Sequence, residues 1–177
     1  MAELFREADY NTYMSGKWHL GMAEQQGPHR RGFDRSFVLL DGGASHFKPR
    51  TNTELRVENV SYCEDGVATG VPDTFYSSDF YTQKLIDYID SGIVTGKPFF
   101  AYAAYTAPHW PLHAPTDLIE KYKNRYRAGY AAIRSQRLLA QDRLGLFPST
   151  TVAPVISNEA APLWETLSAP ERELEAR

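Results

Sequence analysis

The run Phe99-Phe100-Ala101-Tyr102-Ala103-Ala104-Tyr105 constrains the fold of this chain more than any other segment. An almost uninterrupted apolar run of strand length, set off by Gly92 and Gly96, is what a parallel sheet buries on both faces. Such a sheet needs helices on both sides, and the chain supplies helical segments around it. Ala2 to Ala8 reads as a short helix feeding an aromatic, extended segment from Tyr10 to Lys17. Ser36 to Leu40 is a brief apolar run that predicts a further strand. Ser78 or Asp79 is placed to cap a helix to about Ser91, with Tyr81, Leu85, Tyr88 and Ile89 on one apolar face. Thr116 to Tyr122 and Gly129 to Leu144 read as further helices, the second closed by Gly145. From Lys48 to Pro72 the sequence is polar and irregular, with weak strand signals from Leu55 to Val60. The expected fold class is α/β: a partial doubly wound, mostly parallel sheet flanked by helices.

The chemistry is concentrated in Ser15-Gly16-Lys17-Trp18-His19-Leu20-Gly21. If the strand beginning at Tyr10 runs through this motif, alternation points Lys17 and His19 the same way and Trp18 into the opposite layer. A fixed ammonium beside an imidazole makes a site for a tetrahedral oxyanion. The lysine supplies positive charge, the histidine a donor or a base. Gly16 and Gly21 allow close approach of backbone or substrate. His109 falls just beyond the carboxyl end of the Phe99 run, where open α/β sheets place ligands, and Pro108 and Pro111 stiffen its loop. His46, at the end of Asp41-Gly42-Gly43-Ala44-Ser45-His46, is expected to line the substrate entrance. His113 is read as a neighbour of the site or an exposed residue, and His29 as a solvated turn residue.

Gly16-Lys17-Trp18-His19-Leu20-Gly21 resembles the second signature of the sulfatase family, within the alkaline-phosphatase-like superfamily. Arg31-Gly32-Phe33-Asp34 resembles the family's downstream Gly-Phe-Asp segment, and Phe75-Tyr76-Ser77-Ser78-Asp79-Phe80-Tyr81-Thr82 its helix entry. Pro98-Phe99-Phe100-Ala101-Tyr102 and Thr106-Ala107-Pro108-His109-Trp110-Pro111 resemble the buried strand and histidine loop of bacterial arylsulfatases. These blocks keep family order up to about Pro148. The resemblance implies an alkaline-phosphatase-like fold and a sulfuric ester hydrolase that cleaves aryl or alkyl sulfate esters. Such cleavage needs a nucleophile at sulfur, cations around its oxygens and a proton for the departing alkoxide. In the family the nucleophile is a hydrated formylglycine made from cysteine or serine. Carried over position by position, Lys17 would bind the sulfate oxygens and the formylglycine hydroxyl. His19 would hydrogen-bond that hydroxyl and act as the base that collapses the hemiacetal. His109 would bind sulfate and help protonate the leaving oxygen. A phosphonate or phosphodiester hydrolase of the same superfamily is one alternative, because phosphorus anions need the same cations. A truncated, non-catalytic remnant is the other.

The resemblance also implies groups that this chain is not expected to carry. A divalent cation, calcium or magnesium, wants several oxygen ligands. No Asp-Asp or Asp-Asn pair occurs here, and Asp34, Asp41, Glu64 and Asp65 read as solvated loop charges. Cys63, the one cysteine, is not followed by Pro-x-Arg, and neither a Cys-x-Pro-x-Arg nor a Ser-x-Pro-x-Arg precursor is expected here, so the formylglycine is expected outside this chain, as is the family's second active-site lysine. Tyr62-Cys63-Glu64-Asp65-Gly66 reads as a turn-like acidic setting that would raise a thiol pKa, and a lone cysteine makes no internal disulfide. The net charge of -3 and the lack of a basic run argue against nucleic acid. No apolar stretch approaches membrane-spanning length, and no basic region followed by an apolar run opens the chain. The expected partners are a small-molecule sulfate ester and further N- and C-terminal segments of the same fold. Residues 1–148 are expected to be the central part of a catalytic domain. Residues 149–177 read as a linker, proline-containing from Thr150 to Pro162, and the start of a truncated helix. In that helix Ser168 and Glu171 have capping-box spacing, with Pro170 in the first turn.

Overall fold

In the computed structural model, which describes residues 1–48, 60–148, 151 and 162–176, the aromatic segment after Tyr10 becomes the strand β1 (Asn11–Lys17). It lies between two parallel neighbours, β2 (Arg35–Leu39) on one side and β5 (Phe99–Ala104) on the other. A short antiparallel hairpin, β3 (Tyr62–Glu64) and β4 (Val67–Thr69), extends the sheet beyond β2, giving the order β4-β3-β2-β1-β5. The sheet is therefore mixed, with its parallel part in the three strands that sequence periodicity singled out. These strands belong to a compact unit spanning Met1–His113; Ala114–Arg177 form a second unit.

Side chains alternate across the sheet, and each face has its own core. Helix α2 (Ser77–Gly92) covers one face, burying Tyr81, Leu85 and Tyr88 at i, i+4 and i+7 against Tyr13, Phe37 and Leu39. On the other face, Met14, Val38, Trp18 and Phe33 pack with Ala2 of helix α1 (Ala2–Glu7). Phe5 of that helix stacks on Phe100 at 4.5 Å. Met14, Phe37 and Leu39 are all but fully buried, so each contributes roughly 1.5–3 kcal/mol of transfer free energy.

Several expectations need correction. The Phe99 strand is not buried on both faces: β5 hydrogen-bonds only to β1 among the described residues, and Phe99 and Tyr102 stay about half exposed. Helix α2 begins at Ser77, two residues before a Ser78 cap would start it, and has no side-chain cap from Ser78 or Asp79. Cys63 is not in a turn. It lies in β3 opposite Val38, and the turn follows at Asp65-Gly66. The carboxylates read as solvated are bound. Asp34 accepts from the backbone N–H and hydroxyl of Thr12, both at 2.9 Å, tying β1 to the segment entering β2. Asp65 accepts from Arg35 at 2.7 Å and from the Ser36 N–H at 2.6 Å, and Asp41 accepts from the Ser61 N–H at 2.7 Å. Glu64 takes both the Lys84 ammonium and the Tyr88 hydroxyl at 2.8 Å. The expected strand signals at 55–59 lie outside the described residues.

The second unit is helical, with α3 (Thr116–Tyr122), α4 (Gly129–Arg143) and α5 (Ala169–Glu175). Trp164 packs edge-on against Tyr130 of α4, whose hydroxyl donates to Glu175 at 2.6 Å. Arg127 pairs with Glu173 at 2.6 Å. These contacts fold residues 162–176 onto α4. Most of the expected linker lies outside the described residues.

Candidate active site

Because β1, β2 and β5 run parallel and in register, their carboxyl ends share one edge: Lys17 pairs with Leu39, and Gly16 with Ala104. Gly16 has a φ of 127°, and a Cβ there would overlap the Ala104 carbonyl. Only glycine lets β1 and β5 approach this closely immediately before Lys17. The Trp18 N–H donates to the Leu39 carbonyl at 2.8 Å, extending the ladder one step past Lys17. Trp18 turns to the other face, where its indole N–H donates to the Gln26 carbonyl at 3.0 Å and its ring meets Phe33 edge-on. Lys17 is half-buried, with no ion-pair partner among the described residues.

His19 does not continue the strand. Its φ of 51° is left-handed, an arrangement that costs a side-chain-bearing residue on the order of 1 kcal/mol. Strand alternation therefore ends at Trp18, and His19 reaches the edge by a turn. Its ring lies over Gly42: a Cβ there would sit 2.6 Å from Cε1 and 2.7 Å from Nε2. His109 lies in the turn after β5, where its N–H donates to the Thr106 carbonyl at 2.9 Å. Its ring lies against Gly43, where a Cβ would stand 3.0 Å from Cε1. Two glycines whose Cα atoms are about 3.8 Å apart thus seat the two imidazoles, on the loop that leaves β2 beside Lys17.

The ring of His109 has a defined tautomer. Nδ1 lies 2.7 Å from the Trp110 carbonyl, which can only accept, so Nδ1 carries the hydrogen and Nε2 is the free nitrogen. His46 lies beneath this loop, 1% exposed, rather than on an opening. Its Nδ1 is 2.9 Å from Ser77 Oγ and its Nε2 is 3.0 Å from the His109 carbonyl, which leaves neither nitrogen for a substrate. His113 is half-buried, edge-on to His46 at 6.3 Å. His29 packs against Gly66 in the β3–β4 turn, at the amino end of β2 and so at the far edge of the sheet. Sequence reasoning missed Gly42 and Gly43 as seats. A Gly-Gly pair directly after a parallel strand was the available signal.

Known proteins resemble this chain. The family model for Sulfatase matches residues 1–154. This chain belongs to the sulfatase family. An uncharacterized sulfatase of Schizosaccharomyces pombe is 39% identical over the whole chain, which spans 33% of that relative. An arylsulfatase of Klebsiella aerogenes is 36% identical, again over the whole chain and 38% of the relative. The chain thus spans about a third of the length of these sulfatases. Among solved structures, Ps i-CgsB aligns with a TM-score of 0.60 at 30% identity, over 71% of this chain and 31% of that one. Its complex with k-i-k-neocarrahexaose gives 0.61 at 29% identity, over 70% of this chain and 29% of that one.

The groups implied by the sulfatase resemblance can be tested against the residues present. No cluster of three or more His, Cys, Asp or Glu suited to a metal exists among the described residues. Asp34, Asp41, Glu64 and Asp65 already have the partners described above, so they do not fit a calcium or magnesium site. Cys63 does not fit the nucleophile either. It is buried in β3, and burial pushes its thiol pKa up, with the Asp65 charge adding and a Gly66 backbone hydrogen bond opposing. Ser168-Ala169-Pro170-Glu171-Arg172 does carry a bare Ser-x-Pro-x-Arg spacing, but its residues are committed to starting α5. The Ser168 N–H donates to Glu171 at 2.7 Å in a capping box, and Arg172 donates to the Trp164 and Glu165 carbonyls.

Proposed function

We propose that Lys17, His19 and His109 form the sulfate-binding part of a sulfuric ester hydrolase acting on aryl or alkyl sulfate esters. The observation that carries this reading is the seating of His19 and His109 on consecutive glycines, at the edge where Lys17 ends β1. A sulfate monoester spreads one negative charge over three terminal oxygens. The Lys17 ammonium supplies the opposite charge, and the two imidazoles supply directional donors. With Nδ1 of His109 committed to Trp110, only Nε2 can serve the substrate. Protonated, Nε2 donates to a sulfate oxygen, and it would give that proton to the departing alcohol oxygen when a nucleophile not found among the described residues bonds to sulfur and the ester S–O bond breaks. Neutral, it has no proton to give, so His109 acts in its imidazolium form. Membership of the sulfatase family favours sulfur over phosphorus as the centre attacked.

The calcium or magnesium ion and the formylglycine of the family reading have no seat among the described residues. The chemistry assigned to this chain is therefore anion binding and proton donation, and the 177 residues should bind a sulfate ester without cleaving it. Calorimetric titration of the chain with inorganic sulfate and with nitrophenyl sulfate tests this. Lys17→Ala and His109→Ala should each weaken binding about tenfold, the size of one charge-assisted hydrogen bond. Unchanged affinity in both variants overturns the site. Nitrophenol release above a Lys17→Ala control overturns the view that the nucleophile is not among these residues.

A further inference from the structure

We infer that His46 is a positioning residue: one buried imidazole that ties the His109 loop to the first turn of α2. The inference rests on the reading of His109 as sulfate ligand and acid. The His109 carbonyl can only accept, so Nε2 of His46, 3.0 Å away, carries the hydrogen. Nδ1 then accepts from the Ser77 hydroxyl at 2.9 Å, and the Ser77 N–H donates back to the His46 carbonyl at 2.8 Å. Beside this pair, Phe47 bridges to Tyr76 and their rings stack at 4.9 Å. His46 and Ser77 are each 1% exposed, a depth at which leaving a polar atom unbonded is costly.

What His46 holds is the peptide joining His109 to Trp110. The next carbonyl, that of Trp110, takes the His109 Nδ1–H. If the first peptide tilts, the second carbonyl leaves the ring, and His109 is free to exchange tautomers and swing. His46 thus sets which nitrogen of His109 faces the substrate while touching no substrate itself. Ser77 anchors the other end to a helix whose next turns are locked in the core by Tyr81 and Leu85. An apolar residue at position 46 would leave the Ser77 hydroxyl and the His109 carbonyl unpaired in the interior.

The test uses the full chain with 15N-labelled histidines, whose long-range 1H–15N spectra report each ring's tautomer, titrated with inorganic sulfate. His46→Gln puts an amide nitrogen near the position of Nε2 and should keep His109 in its Nδ1–H form. His46→Asn reaches only the Ser77 side, and its His109 signals should move to a tautomer average. Sulfate affinity should fall about tenfold in the His46→Asn variant and stay within about twofold of the original in the His46→Gln variant. Ser77→Ala removes only the Nδ1-side partner and leaves Nε2 on the His109 carbonyl, so its His109 spectrum should resemble that of His46→Gln rather than that of His46→Asn. If His46→Gln and His46→Asn give the same His109 spectrum, or if His46→Asn leaves it unchanged, His46 does not position His109. If His109 loses its tautomer in the His46→Asn variant while sulfate moves no histidine in any protein, the positioning role stands and the sulfate reading fails.

Discussion

A methyl group at Gly42 would stand 2.6 Å from Cε1 of His19, too close for both to keep their places. The backbone at Gly42 is not in the left-handed region, so alanine is tolerated there on conformational grounds and its effect must pass through the ring. Gly42→Ala should therefore weaken sulfate binding by about tenfold with a thermal midpoint within a few degrees of the parent. In a His19→Ala background the same change should cost nothing further, because the ring it displaces is gone. Additive losses in that cycle, measured by calorimetry, would mean that Gly42 acts on the site by some route other than His19. The contrast with Gly16 is physical. There the clash is with backbone, the Ala104 carbonyl, and alanine should damage the β1–β5 pairing itself.

At the scale of elements, the β3–β4 hairpin is fastened to α2 by Glu64. Its carboxylate takes Lys84 and Tyr88, with Arg35 at 3.9 Å. Burial alone would raise the Glu64 pKa. The Lys84 and Tyr88 hydrogen bonds and the charges of Lys84 and Arg35 outweigh it and hold the carboxyl below its ordinary range. A carboxyl whose folded pKa lies below its unfolded value adds stability that is fully present above the unfolded pKa. That stability is lost as the pH falls through the folded one. Glu64→Gln should thus lower stability by roughly 1–2 kcal/mol near neutral pH, and the gap to the parent should close as the solution is acidified. Denaturant melts across pH measure this, and a gap that stays constant into strong acid would rule out the charge as its source.

For the whole molecule, the open side of β5 is the exposed liability. Its outer backbone groups have no strand partner among the described residues, and Phe99 and Tyr102 stand about half exposed beside it. An exposed apolar edge of this kind templates pairing with another chain. The protein should associate in a concentration-dependent way, and Tyr102→Lys, which places a charge on the edge strand, should reduce that association without unfolding the sheet. Light scattering across a dilution series gives the answer; equal association in the parent and the lysine variant would clear β5 of responsibility.

Local pattern was sufficient to find the three parallel strands, because a two-residue period or a short apolar run is written in neighbouring residues, but not the β3–β4 hairpin, whose short polar segments read as a turn in an irregular stretch. Tyr81, Leu85 and Tyr88 likewise gave the buried stripe of α2, and Trp18 its own layer, from spacing alone. Lys17, His19 and His109 were legible as candidate site residues through the family motif and the position of a loop after a strand. Tertiary structure decided everything that depends on residues far apart in the chain. It turned His19 out of its strand and onto Gly42, and bound Asp34, Asp65 and Glu64 that looked solvated. It left β5 at an edge although its composition reads as a buried strand, since exposure depends on which strands lie beside it. It also took His46 away from the substrate entrance and joined it to Ser77 and His109, 31 and 63 residues along the chain. Composition and periodicity carry no information about such meetings, because a hydrogen bond across that separation exists only once the sheet has brought its loops to one edge.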